Sequence, residues 1–174
     1  MSSYPSDMKT MAKPYRVLGF LTIGVILAVP LIYLLLLRPT PIQVGGFTSF
    51  EGEHTLIFEA INRGVHDVEL IDVRINGGEQ PAKAELGVSY SLHLVGGTEL
   101  DGNSDIQFMD MQAMPIQPGL TADQKRSALQ DTALTPLNYG VRILSEVPIR
   151  RIELEYRYFG FTFKRELPMG RFFQ

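Results

Sequence analysis

IRRIELEYRYFGFTFKREL, residues 149–167, alternates apolar and charged side chains on either side of a Phe159-Gly160 pair. Alternation with a period of two marks a strand with one buried face. Two such runs separated by two residues, the second a glycine, read as a β-hairpin. A two-residue loop sets Tyr158 opposite Phe161, Tyr156 opposite Phe163 and Ile152 opposite Leu167 on one face. Glu155 then faces Lys164, and Arg157 faces Thr162, on the other. Cross-strand pairs of this kind contribute roughly 0.2–1 kcal/mol each. The same register puts Arg165 on the apolar face and Glu153 opposite Glu166, mismatches that vanish if the hairpin ends near Lys164.

Upstream the pattern stays mostly at period two. Ile42–Phe50 reads as a strand broken by Gly45-Gly46, and His54–Asn62 as a strand buried on both sides or nearly so. Asn62-Arg63-Gly64 is a turn. In Val65–Asn76 the phase slips, with Val68 and Leu70 on one face and Ile71, Val73 and Ile75 on the other, which predicts a bulge near Leu70. Val88–Leu94 reads as a half-buried strand closed by Gly96-Gly97, and Ile106–Ala113 as a weaker one. Thr121-Ala122-Asp123-Gln124 is a capping box opening a helix over Ala122–Asp131, expected to pack through Ala128 and Leu129. The total is about eight strands and one short surface helix. The expected fold class is all-β, an antiparallel sandwich of two packed sheets.

The N-terminal part is of another kind. Val17–Leu37 is 21 residues without charge, Asn or Gln, bracketed by Arg16 and Arg38. At about 1.5 Å per residue it rises about 31 Å, close to the ~30 Å hydrocarbon core of a bilayer. Lys9, Lys13 and Arg16 precede it and Arg38 alone follows, so the positive-inside rule keeps the N-terminus in the cytoplasm and sends the rest outside. A cleaved signal peptide would have a shorter apolar region and a small-residue site close behind it, whereas Val44-Gly45-Gly46 lies well past the run. Pro30 is tolerable in a span at the cost of a kink. Gly24 and Ala28 form a small-xxx-small pair that would let two copies dimerise through this helix. The expected organisation is a cytoplasmic tail at 1–16, a transmembrane helix at 17–37, a stiff linker at 38–41 and an extracytoplasmic β-sandwich domain at 42–174.

Composition bounds the outer domain. The chain has no Cys and no Asn-x-Ser/Thr sequon, so neither disulfides nor glycans support the fold and a packed core must. An exported domain of that kind fits a bacterial cell with a single membrane. Beyond Arg38 there remain 12 Lys and Arg against 18 Asp and Glu, a net charge of −6. That balance argues against nucleic acid as a partner and against the domain lying flat on anionic lipid.

The strings Leu56–Gly64 and Val68–Ile75, with Pro118-Gly119 and Ile152–Tyr156, resemble the immunoglobulin-like or fibronectin-type-III-like ectodomains of bacterial single-pass membrane proteins. The resemblance covers roughly two thirds of the chain and lacks the cysteine pair and buried Trp of antibody domains. It implies an anchored β-sandwich and no particular activity.

Motifs for chemistry are sparse. His54, His66 and His93 have no metal-ligand spacing, and no GxSxG, SxxK or nucleophilic Cys exists. Glu153 and Glu155 share a strand face with Arg151 and Arg157, the pattern of a solvated charged ladder. Gly45-Gly46 and Gly77-Gly78 lack the helix and Lys of a phosphate cradle. Asp101, Asn103 and Asp105 are spaced like the start of a calcium loop, but Ile106 and Gln112 stand where Gly and Glu are required. No catalytic residue and no cofactor is implied. Candidates for contact with a protein partner are Met109, Met111 and Met114, because methionine suits adaptable surfaces, and the terminal Phe172 and Phe173. The reading is an interaction or assembly module at the cell envelope, with a ligand- or ion-sensing domain as the alternative and an enzyme of unfamiliar class as the third possibility.

Overall fold

The computed structural model describes residues 14–32, 40–50, 54–96, 105–130 and 134–168. The chain divides into two compact units, Met1–Pro39 and Thr40–Gln174. In the first, helix α1 spans Pro14–Ile32 with Pro30 inside it. Its described side chains are all exposed. Ile23, Val25, Ile26, Leu27, Val29, Leu31 and Ile32 are each more than half exposed, so apolar side chains face outward all round residues 23–32. Among the described residues no helix is long and apolar enough to cross a membrane. Tyr33–Leu37, which would complete the apolar run, lie outside them.

The second unit is β-rich, as the alternation predicts. Its strands are β1 (Ile42–Phe50), β2 (Thr55–Asn62), β3 (Glu69–Ile75), β4 (Lys83–Ser89), β5 (Ile106–Asp110), β6 (Asn138–Leu144), β7 (Arg151–Tyr158) and β8 (Phe161–Pro168), with helix α2 (Ala122–Gln130) between β5 and β6. They form two antiparallel sheets, one ordered β1-β2-β6-β4-β5 and the other β3-β7-β8. Each sheet withdraws one face from water. Leu56, Phe58, Leu86, Val141 and Ile143 line the first, and Val73, Ile75, Ile152, Leu154 and Tyr156 the second, all at most 1% exposed. Two packed layers meet that requirement without a disulfide.

Several expectations are met in detail. β1 carries a register shift between Val44 and Phe47, at the Gly45-Gly46 break. β3 shifts between Leu70 and Asp72, where the apolar phase slips. The β7–β8 hairpin has the expected register and runs on to Arg151–Pro168, so its mismatches are real. They are met by diagonal pairing. Lys164 Nζ lies 3.1 Å from Glu153 and 3.3 Å from Glu155, Arg151 lies 3.8 Å from Glu166, and Arg165, on the edge strand, reaches the Thr40 hydroxyl.

Others are corrected. The strand expected at Val88–Leu94 lies earlier, at Lys83–Ser89, and Leu92 and Leu94 are exposed. β6, left unassigned above, is the centre of the larger sheet. The expected strand Ile106–Ala113 ends at Asp110. α2 has its reciprocal cap, with Thr121 N–H donating to Gln124 Oε1 and Gln124 N–H to the Thr121 hydroxyl. It does not pack through Leu129, which is exposed; its tether is polar, from Lys125 to Asn138.

Residues 90–96 fold back over the outer face of the larger sheet. Val95, fully buried, sits over Gly87 and Gly140, which face each other across β4 and β6. A Cβ at Gly140 would lie 2.7 Å from Val95 Cβ and 2.9 Å from the Phe58 carbonyl oxygen. The Thr48 hydroxyl donates to the Gly96 carbonyl, carrying the crossing as far as β1. Ile57 and Ile106, with Phe50 and Phe108, complete this second apolar cluster.

Candidate functional site

The strands β2 and β6 pair only from Thr55–Leu144 to Glu59–Gly140. Past that point they part, and the chain at Gln117–Leu120 enters the gap. Pro118 bridges to Asn62, and Gly119 N–H donates to the Asn62 carbonyl at 2.8 Å. The proline explains the geometry, since it has no N–H to offer a strand and pre-sets an extended turn. What remains is a cleft of about 240 Å³ whose lining includes Glu59, Asn62, Arg63, Lys125, Asn138 and Tyr139.

Two of these residues are structural. Asn62, 2% exposed, donates from Nδ2 to the His66 and Ile116 carbonyls and accepts from Gly64 N–H. Asn138, 4% exposed, donates to the Ser91 and His93 carbonyls and accepts from Lys125 Nζ at 2.6 Å. Each amide gives both of its N–H groups and one acceptor site to the fold, so neither has a donor left for a ligand.

Tyr139 differs. It is 6% exposed, and its hydroxyl has no hydrogen-bond partner of good geometry among the described residues. The Gln117 backbone interacts weakly with it, and Asp67 and Tyr90 add negative character nearby. Burial first, with Asp67 and Tyr90 behind it, pushes the phenol up to about 12 against the pull of Gln117. At neutral pH it is therefore a protonated donor and acceptor and no base. A buried hydroxyl without a partner costs roughly 1–3 kcal/mol. The cleft is smaller than the ~300–1,000 Å³ of ordinary small-molecule pockets, so it suits a single polar side chain or a small fragment.

A second groove, of about 350 Å³, runs between β3 and residues 112–115, lined by Leu70, Ile71, Met114 and Arg157 among others. Gln112 Nε2 donates to the Ile71 carbonyl, and Ile116 exchanges both backbone hydrogen bonds with Val68, so this segment closes the open edge of β3. Met111 is buried and Met109 and Met114 half-buried. Of the three methionines, Met111 serves the core and Met114 faces a groove.

The remaining sequence candidates are dispersed. Asp105 is exposed, with its carboxylate 3.5 Å from His93 Nδ1, while Asp101 and Asn103 lie outside the described residues. Among the described residues no three metal-ligating side chains come together. His54 bonds the Ser145 carbonyl, His66 packs on Phe159, and His93 meets Ser91. Glu153 and Glu155 share Lys164, whose amine is held above its ordinary range by those two hydrogen bonds. Gly24 and Ala28 are exposed on α1, with nothing within 4 Å of a Cβ at Gly24. Phe172 and Phe173 lie outside the described residues.

Sequence reasoning missed Glu85. It is buried on the outer face of the larger sheet between Lys83 and Arg142, at 2.6 Å from each. The Arg142 guanidinium also lies 3.6 Å above the Phe108 ring. Burial pushes the Glu85 carboxyl up, and the hydrogen bonds and charges of Lys83 and Arg142 more than reverse it, leaving it below its usual range. This ion pair fixes β4 to β6 and lines neither of the two clefts described above. No protein-family profile matches the chain, and no curated protein or solved structure matches it.

Proposed function

We propose that the chain is a single-pass membrane protein, N-terminus in the cytoplasm, that presents an immunoglobulin-like β-sandwich outside the cell as an interaction or assembly module. The observation that carries this reading is α1. Seven large aliphatic side chains stand exposed around its whole circumference. At roughly 1.5–3 kcal/mol for each such side chain, leaving them in water forgoes on the order of 10 kcal/mol, so the helix calls for an apolar solvent. The immunoglobulin-like reading draws support from strand order. β1-β2-β6-β4 over β3-β7-β8 has the pattern of the constant-type sandwich, four strands facing three, with β5 added at one edge. The absence of a gathered acid, base or nucleophile among the described residues favours binding over catalysis.

The test is topological. Full-length chain is expected to stay in the membrane pellet through carbonate washing and to leave it with detergent. A phosphatase fused after Gln174 should be active and a green fluorescent protein dark. A soluble chain after lysis, or a fluorescent fusion, overturns the reading. A photo-crosslinker at Met114 should capture a protein partner that one at Glu79 does not.

A ligand-sensing role rests on a separate observation, the unpartnered Tyr139 hydroxyl in its cleft. Calorimetry with envelope-glycan fragments and with calcium should then show binding that Tyr139→Phe weakens; no heat with any of them removes this reading.

A further inference from the structure

β1 enters the second unit at Ile42, opposite Asn62, the last residue of β2. Arg63 N–H donates to the Pro41 carbonyl at 2.6 Å. The β2–β3 turn therefore stands beside the point where the chain arrives from its apolar run. The β7–β8 turn stands there too. The Tyr158 hydroxyl accepts from Val65 N–H at 3.1 Å, and the His66 and Phe159 rings meet edge to face at 4.3 Å. This shared end carries three exposed apolar side chains, Val65 at 71%, Phe161 at 60% and Phe159 at 40%.

Phe159 holds its place against local preference. Its φ is 51°, in the left-handed region where a bulky side chain is disfavoured and where hairpin turns ordinarily use Asn, Asp or Gly. The two-residue turn requires positive φ at both central positions, and Phe159 fills the first with its ring against His66 and Tyr158 and two fifths of the residue still exposed. Charge at this end also departs from the rest. Residues 62–69 and 157–162 balance Arg63 and Arg157 against Asp67 and Glu69, while the chain beyond Arg38 carries −6. Distance completes the case. Thr40 is held to Arg165, so only Arg38 and Pro39 stand between the last residue of the apolar run, Leu37, and the folded unit. From Leu37 to Thr40 the chain reaches at most about 11 Å, comparable with the roughly 5–7 Å of one headgroup layer.

We infer that Val65, Phe159 and Phe161 are seated in the headgroup region of the bilayer that holds α1, so that the β-domain is docked on the membrane by this end; the inference rests on the membrane reading above. Phenylalanine and valine supply the buried apolar area, and Arg63 stands at the level of the lipid phosphates. The bulk of the acidic surface then points away from the lipid.

The chain has no cysteine, so one introduced thiol gives a unique label. Full-length F161C, V65C, E79C and V29C, each carrying the same fluorophore, are reconstituted into phosphatidylcholine–phosphatidylglycerol vesicles with a lipid-borne quencher. Position 79 is on the β3–β4 turn at the opposite end and position 29 is in α1. The expected result is strong loss of fluorescence at 29, clear loss at 161 or 65, and little at 79. Loss at 29 with 161 and 65 no dimmer than 79 overturns the docking and leaves the anchor standing. No loss at 29 overturns both. Labels at 161 and 65 that are shielded from aqueous iodide yet not quenched from the lipid overturn it too, because a second copy or a protein partner then covers this end.

Discussion

A hydroxyl group buried at Tyr139 with no well-formed partner among the described residues is a local defect that the rest of the sheet must outweigh. Replacing it with Phe removes the defect and keeps the ring. Tyr139→Phe is expected to stabilise the β-domain by about 1 kcal/mol, read as a rise in the urea midpoint with unchanged slope. The variant also has a pH signature. The folded phenol titrates near 12 and an unfolded one near 10, so the native state holds a proton that the unfolded state loses. Its contribution is complete below pH 10 and falls away as pH rises towards 12, by up to about 1.4 kcal/mol per pH unit. Between pH 10 and 12 wild type should therefore lose stability faster than Tyr139→Phe; parallel curves would show that the phenol is solvated. Glu85 has the opposite sign. Its carboxyl is held below the usual range, so its contribution is present above the unfolded pKa and lost as pH falls through the folded one. Glu85→Gln is expected to cost about 1–3 kcal/mol at pH 7. The gap to wild type in urea midpoint should narrow towards pH 3.

The elements show which parts of this fold can be read from sequence. The β7–β8 hairpin, the β1 break and the β3 bulge are local facts, set by alternation and turn residues, and each stands where the residues indicate. The crossing at 90–96 is not local. Tyr90, Leu92 and Leu94 alternate as a strand would, but Val95 finds a hole made by two glycines more than forty residues apart in the chain, and that contact ends β4 at Ser89. β6 does carry the period-two signal, with Tyr139, Val141 and Ile143 alternating with Asn138, Gly140 and Arg142. The cleft is what local pattern does not supply. Its key residue lies on that strand, and its wall at Pro118 is brought in by the segment that seals β3. Gly140→Ala tests the crossing directly. The new methyl would meet backbone at Phe58 and the branched carbon of Val95, neither of which can swing aside, so a loss of about 1–3 kcal/mol is expected. Hydrogen exchange at Gly96 should rise with it. Gly46→Ala, with open space around the added carbon, should stay within about 0.5 kcal/mol. Equal losses from the two would mean that residues 90–96 are not packed on the sheet.

At the scale of the whole chain the two units differ in how they treat apolar side chains, exposed in α1 and buried in the β-domain. Every buried residue among those described belongs to residues 41–167, and residues 22–32 of α1 are all exposed. The buried core of the second unit is made of that unit's own strands and loops. Residues 40–174 made alone are expected to remain folded in water without detergent and to unfold in one cooperative transition. Their midpoint should lie within a few degrees of that of the same domain in the detergent-solubilised full chain, since a shift of about 1 kcal/mol moves a domain of this size by roughly 2–8 °C. Calorimetry of both proteins makes the comparison. The docking end gives the experiment a second edge. Freed from lipid, Val65, Phe159 and Phe161 form an exposed apolar tip, so the isolated domain should self-associate weakly, and Phe161→Ser should reduce that association without moving the midpoint. If residues 40–174 instead fail to fold, α1 is part of the core and its exposed faces are buried against the domain. If they fold and stay monomeric at high concentration with or without Phe161, the tip lacks the affinity for apolar surroundings that docking requires.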